Sequence, residues 1–155
     1  MTDIVDAATR SRMMSGIRAI NTKPELHVRS LLHRQGFRFR LHVRDLPGKP
    51  DIVLPRHHAV IFVHGCFWHG HDCPLFRIPS TRPDFWQTKI DRNRENDHRA
   101  TAALNAAGWR TLTVWECAIR GRRRLDDVAL TGFIDTWLRS NNPNLELAAS
   151  PEGEK

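Results

Sequence analysis

An unbroken apolar run, Ala59-Val60-Ile61-Phe62-Val63, leads directly into His64-Gly65-Cys66-Phe67-Trp68-His69-Gly70-His71-Asp72-Cys73-Pro74. The run suits a central strand buried on both faces, since a half-exposed strand would alternate. The loop behind it crowds histidines together with two of the chain's three cysteines. Cys66, His71 and Cys73 have the ligand chemistry of a structural zinc site, which wants thiolates and imidazole in a closed tetrahedron. Cys117, at the end of a later strand, would complete a Cys₃His set and pin two distant segments together. In the plainer account Cys117 is an ordinary buried cysteine and the loop is merely polar. The placing of all three cysteines at element ends favours zinc. Spacing does not settle whether His69 or His71 is the fourth ligand.

At 155 residues the chain fits one domain with a real core. With 26% charged and 40% apolar residues it should be globular and ordered. A formal charge of +7 favours an anionic partner, of which nucleic acid is the commonest. Met1 to Ile20 is polar and charged, unlike a signal peptide, and no apolar stretch approaches membrane-spanning length. These features predict a cytoplasmic protein with no membrane partner, where cysteines serve more often as metal ligands than as disulfides.

Along the chain, Thr9 to Ile20 reads as a basic helix or arm. Thr22-Lys23-Pro24-Glu25 has the form of a capping box, Val28, Leu31 and Leu32 give a helical apolar face, and Gly36 ends it. Phe37 to Leu41 alternates as a strand, Leu46 to Pro50 is a turn, and Asp51 to Leu54 is a short strand before the apolar run. Pro83 and Gly108 bracket a long helix. Trp109 to Glu116 reads as a further strand, and Leu125 to Leu138 as a final amphipathic helix. The expected order is α-β-β-β-α-β-α, a mixed α/β layer fold. One domain spanning residues 1–140, including the amino-terminal arm, precedes a flexible polar tail over 141–155.

Three further constellations carry chemistry. Asp51, at the start of one hairpin strand, can hold a hard Mg²⁺ ion against a phosphate, although a turn aspartate after proline is common. Asn93, Asn96 and Asp97 interrupt the apolar pattern of the long helix, and a carboxylate there can orient a histidine as general base. A solvated helix face with Arg92, Arg94 and Arg99 explains the same residues equally well. Phe67, Trp68, Phe85 and Trp86 cluster around the histidine loop. Such aromatics are usually core, but adjacent Phe67 and Trp68 cannot both point inward easily, which suggests a base-stacking wedge.

Together these residues resemble the very-short-patch mismatch repair endonucleases, a branch of the restriction-endonuclease-like fold. The likeness runs from about Thr9 to Trp137. It is carried by Ala8-Thr9-Arg10-Ser11, Leu46-Pro47-Gly48-Lys49-Pro50-Asp51, the phrase from Ile61 to His69, Pro79-Ser80-Thr81-Arg82, Phe85-Trp86, Lys89-Ile90, Gly108-Trp109-Arg110 and Val114-Trp115-Glu116-Cys117. The resemblance implies a restriction-endonuclease-like core, a mixed sheet flanked by helices, with a structural Zn²⁺ site. It implies duplex DNA with a T:G mismatch, the product of 5-methylcytosine deamination, as substrate. The strand would be nicked on the 5′ side of the mismatched thymine by a monomer, with other mismatch repair proteins as candidate partners. Asp51 and the main-chain carbonyl of Val63 would bind Mg²⁺. His69 would act on the attacking water with Asp97 behind it, and His64 and Glu25 would be secondary members. His71 would then take the zinc with Cys66, Cys73 and Cys117. Phe67, Trp68 and Trp86 would enter the DNA, Met14 would wedge from the arm, and Lys89 and Asn93 would contact DNA. Common nucleases of this fold carry Glu-x-Lys where this chain has Phe62-Val63-His64, so catalysis leans on histidine. A zinc-containing DNA-binding module without catalysis is the competing reading; it has no need of Asp51, His64, His69 and Asp97 together.

Overall fold

The computed structural model describes residues 22–73 and 75–150. The arm residues, Met14 among them, lie outside that range. Helix α1 (Lys23–Arg34) starts where Thr22 Oγ1 accepts the backbone N–H of Glu25 at 3.2 Å, and Pro24 occupies its first turn. It stops at Gly36, whose φ of +84° is the left-handed conformation that glycine adopts without penalty. The carboxylate of Glu25 is buried, turned toward Arg29 and His42.

Three antiparallel strands follow: β1 (Arg40–Leu41), β2 (Ile52–Leu54) and β3 (Ala59–His64), with Ile52 opposite Ile61 and Val53 opposite Val60. Helix α2 (Pro83–Ala106) then crosses over to β4 (Arg110–Trp115), which lies parallel to β3 with His64 beside Trp115. Helix α3 (Asp127–Leu138), capped by Asp126, crosses to β5 (Asn144–Leu147), parallel to β4. The sheet order is β1-β2-β3-β4-β5.

Strand periodicity explains the layers. Ile52, Leu54, Ile61, Leu112 and Val114 face one way and pack with Val28, Leu32, Leu130 and Ile134 of α1 and α3. Val53, Val60 and Phe62 face the other way, against Leu104 of α2. Helices therefore cover both faces of a mixed sheet, in keeping with the expected α/β class, and the apolar run of β3 is buried on both sides.

Two expectations need correction. The strand read over Phe37 to Leu41 is only Arg40–Leu41, because Phe37 and Phe39 pack against the core outside the ladder. The polar segment from Asn141, read as part of a flexible tail, contributes β5. Leu147 is buried and Leu145 packs on the core, a short alternation hidden among Asn, Pro and Glu. Thr111 Oγ1 also donates to Asn144 Oδ1 at 2.7 Å, which ties the new strand to its neighbour.

Candidate active site and metal cluster

Antiparallel pairing of β2 with β3 brings the start of one strand to the end of the other. Asp51, just before β2, thus reaches the exit of β3, where its Oδ2 accepts the backbone N–H of Val63 at 2.7 Å. Burial raises the Asp51 carboxyl from 3.8 to about 7, with Glu25 adding to the rise and the Val63 N–H and Arg29 opposing it. A buried carboxylate with so little compensation suits a cation, which would restore its charge. Glu25, His42 and Asp51 present ligand atoms within 4.8 Å of one another.

His64 is the last residue of β3, and its ring stacks on that of His69 with centroids 3.8 Å apart and planes 5° off parallel. Asp97, on α2, meets His69 Nδ1 at 2.5 Å and lies 4.0 Å from His64 Nε2. The Asp97 carboxylate accepts a hydrogen bond from Nδ1–H, which leaves His69 Nε2 as the basic atom. Burial, and then the neighbouring His69, lower the pKa of His64 well below the ordinary histidine value. Its surroundings therefore favour the neutral form of His64.

Asp97 arrives there by helical spacing. Trp86, Lys89, Asn93 and Asp97 follow one another at three, four and four residues and share a half-buried stripe of α2, while Gln87, Asp91, Arg94 and Glu95 are exposed. A cleft of about 340 Å³ lies between this stripe and the strand ends, lined by Asp51, His64, His69, Asn93, Asp97 and Trp68 among others.

Sequence reasoning missed Lys49, which lines the same cleft. It adopts φ +49°, an uncommon conformation for a side-chain-bearing residue. Gly48 before it is pressed so closely that a Cβ would lie 2.6 Å from Ala100 Cβ and 3.1 Å from Phe62 Cζ. The available signal was its position two residues before Asp51. Also missed was His42, whose Nε2 lies 2.8 Å from Glu25 Oε2; nothing in the sequence around it points there.

The loop after β3 turns back on itself. His71 Nδ1 lies 3.7 Å from Cys66 Sγ and 3.5 Å from Cys117 Sγ. With Cys73, the four ligand atoms all fall within 4.8 Å of one another. His69 instead faces Asp97, so the two histidines that spacing left interchangeable occupy different sites. The cysteines form no disulfide, and burial pushes the Cys66 and Cys117 thiols upward. Three convergent thiols and one imidazole form a soft, closed donor set that fits a tetrahedral divalent ion.

Next to this cluster the aromatics meet edge to face. Phe67 contacts Trp68 at 5.0 Å and Trp86 at 5.5 Å, and Trp68 lies 5.9 Å from Trp86. Asn93 donates its side-chain amide to the Trp68 carbonyl at 2.7 Å, so it has a partner inside the protein. Lys89 stands on the same stripe, half-buried.

A family model for "DNA mismatch endonuclease Vsr" matches residues 2–75, the stretch that holds Asp51, His64 and His69. A protein of that name from Escherichia coli (strain K12) is 49% identical over 138 residues, covering 89% of this chain and 88% of the relative. The chain belongs to the Vsr family. The type II nicking enzyme V.XorIIP from Xanthomonas oryzae pv. oryzae is 53% identical over 119 residues, covering 77% of this chain and 88% of its own. V.NaeI, a type II nicking enzyme from Lentzea aerocolonigenes, is 43% identical over 135 residues, covering 83% and 76% respectively. Among the described residues of this Vsr-family chain, no helix is long and apolar enough to cross a membrane.

Proposed function

We propose that this chain is a mismatch-directed DNA endonuclease that hydrolyses one phosphodiester on the 5′ side of the thymine in a T:G pair. The observation that carries the reading is the convergence of Asp51, His64, His69 and Asp97 on one cleft beside the Phe67–Trp68–Trp86 cluster. A binding module has no use for a histidine oriented by a carboxylate. The mixed sheet with Asp51 at a hairpin strand's start accords with a restriction-endonuclease-like core.

Asp51, with the Val63 carbonyl, would hold Mg²⁺; when bound, the ion supplies Lewis-acid polarisation of the scissile phosphate and a counter-charge for the leaving oxygen. His69 Nε2 takes the proton of the attacking water, and Asp97 fixes the Nδ1–H tautomer and balances the imidazolium. His64, neutral and stacked, keeps His69 from rotating without placing a second positive charge beside it. Zn²⁺ on Cys66, His71, Cys73 and Cys117 is structural, because four protein ligands leave no open position for water.

Recognition works by wedging. A wobble pair stacks poorly, so opening it costs less than opening a matched step, and Phe67, Trp68 and Trp86 fill the gap. Lys89 and Asn93 contact the DNA from the same stripe of α2, and Met14 wedges from the arm. The protein acts as a cytoplasmic monomer and hands nicked DNA to other repair proteins. Duplexes differing only in one T:G pair test this reading: Mg²⁺-dependent, strand-specific nicking of the mismatched duplex supports it. Equal cleavage of the matched duplex, or none of either, overturns it.

A further inference from the structure

Strand β5 brings to the site a residue that lies outside both the metal cluster and the catalytic pair. In the parallel register Thr113 pairs with Glu146, and Trp115 stands two residues further along β4 on the same face. The indole Nε1–H of Trp115 donates to Glu146 Oε1 at 2.7 Å. Three imidazoles rest on that one buried indole. His71 is stacked on it at 4.2 Å with planes 10° apart, while His64 and His69 meet it edge to face at 5.3 and 6.1 Å.

Trp115 can report a change at one of these sites to the other only if its plane is fixed. An indole has a single N–H, so one strong acceptor decides the rotation of the ring. Anchoring matters here because the rings border a cavity of about 380 Å³, lined by His64, His69, His71, Asp97, Trp115 and Glu146 among others. Space of that size gives the rings room to rotate.

We infer that Glu146 is a positioning residue: by holding Trp115 Nε1–H it sets the plane against which His64 and His69 are aligned with Asp97. The inference rests on the reading of His69 as the proton acceptor. Glu146 itself is exposed, so replacing it leaves the core intact.

The test uses the zinc-loaded full chain and single-turnover nicking of a T:G duplex. Glu146→Ala should slow nicking about tenfold, since misalignment of reacting groups by a fraction of an ångström acts on the chemical step. Duplex affinity and zinc content should match the wild type. Glu146→Gln, which still offers an oxygen to the indole, should restore the rate. Trp115→Phe should reproduce the loss, and the double variant with Glu146→Ala should be no slower than the slower single. Wild-type nicking by Glu146→Ala, with His69→Ala inactive, would overturn the positioning role and leave the catalytic reading standing. A slow Glu146→Ala that melts early and is not rescued by Gln would also overturn it. Wild-type nicking by His69→Ala would remove the catalytic reading, and this inference with it.

Discussion

The Asp51 carboxylate accepts the Val63 amide at 2.7 Å, joining the start of β2 to the end of β3 where His64 leaves the sheet. This bond commits one carboxylate oxygen to the hairpin, and Asp51 also lines the cleft. Asp51→Asn should keep duplex binding, which depends on phosphate contacts elsewhere, and lose nicking by at least about 10²-fold. Near wild-type nicking with Mg²⁺ would mean that another group anchors the ion.

The same residue predicts a pH dependence of stability. Burial raises its folded-state pKa to about 7 from 3.8, so the fold favours the protonated form. In metal-free protein the stability contribution from Asp51 is full below about 4 and is lost as pH rises through about 7. Asp51→Asn should therefore stabilise the metal-free protein at pH 8, by on the order of a few kcal/mol, with the gain shrinking toward pH 4. Chemical denaturation in chelator at several pH values measures it. A gain that does not vary with pH would contradict the assignment.

Cys117 joins the loop after β3 to the turn after β4, 3.5 Å from His71 Nδ1. Cys117→Ala should release the ion and lower stability by on the order of several kcal/mol, because binding energy in a structural site is folding energy. Elemental analysis and thermal melts report both. Wild-type protein without stoichiometric zinc would remove the staple.

Trp68 packs edge to face with Phe67 and Trp86 at the mouth of the site, and its backbone is held by Asn93. Trp68→Ala should weaken binding of a T:G duplex by about 1–3 kcal/mol, the usual value of one base–aromatic stack, and change matched-duplex binding far less. Equal losses on both would make the tryptophan a packing residue.

Much of this arrangement was legible from the chain because it depends on local spacing. The apolar run of β3, the capping threonine of α1 and the glycine after it each carry a local physical signal. The cysteines were singled out by their ligand chemistry and their places at element ends, and they converge with His71. What the sequence did not disclose depends on contacts between distant segments. β5 is only a few residues long and is held by Thr111 and the buried Leu147, so its pattern is too brief to stand out. His42 touches Glu25 across a change of element, and Lys49 enters the cleft because Gly48 is clamped between Ala100 and Phe62. Spacing alone left His69 and His71 interchangeable, and the family resemblance chose between them; in space Asp97 meets His69 and the sulfurs surround His71.

In the proposed mechanism His69, held 2.5 Å from Asp97, performs the proton transfer of phosphodiester hydrolysis. The most direct measurement is the single-turnover nicking rate of His69→Ala on a T:G duplex with Mg²⁺, taken with its zinc content. A loss of about 10²–10⁴-fold with zinc fully retained is the predicted result, the range expected for removing a positioned general base. Nicking at the wild-type rate, or loss of zinc together with activity, would contradict it.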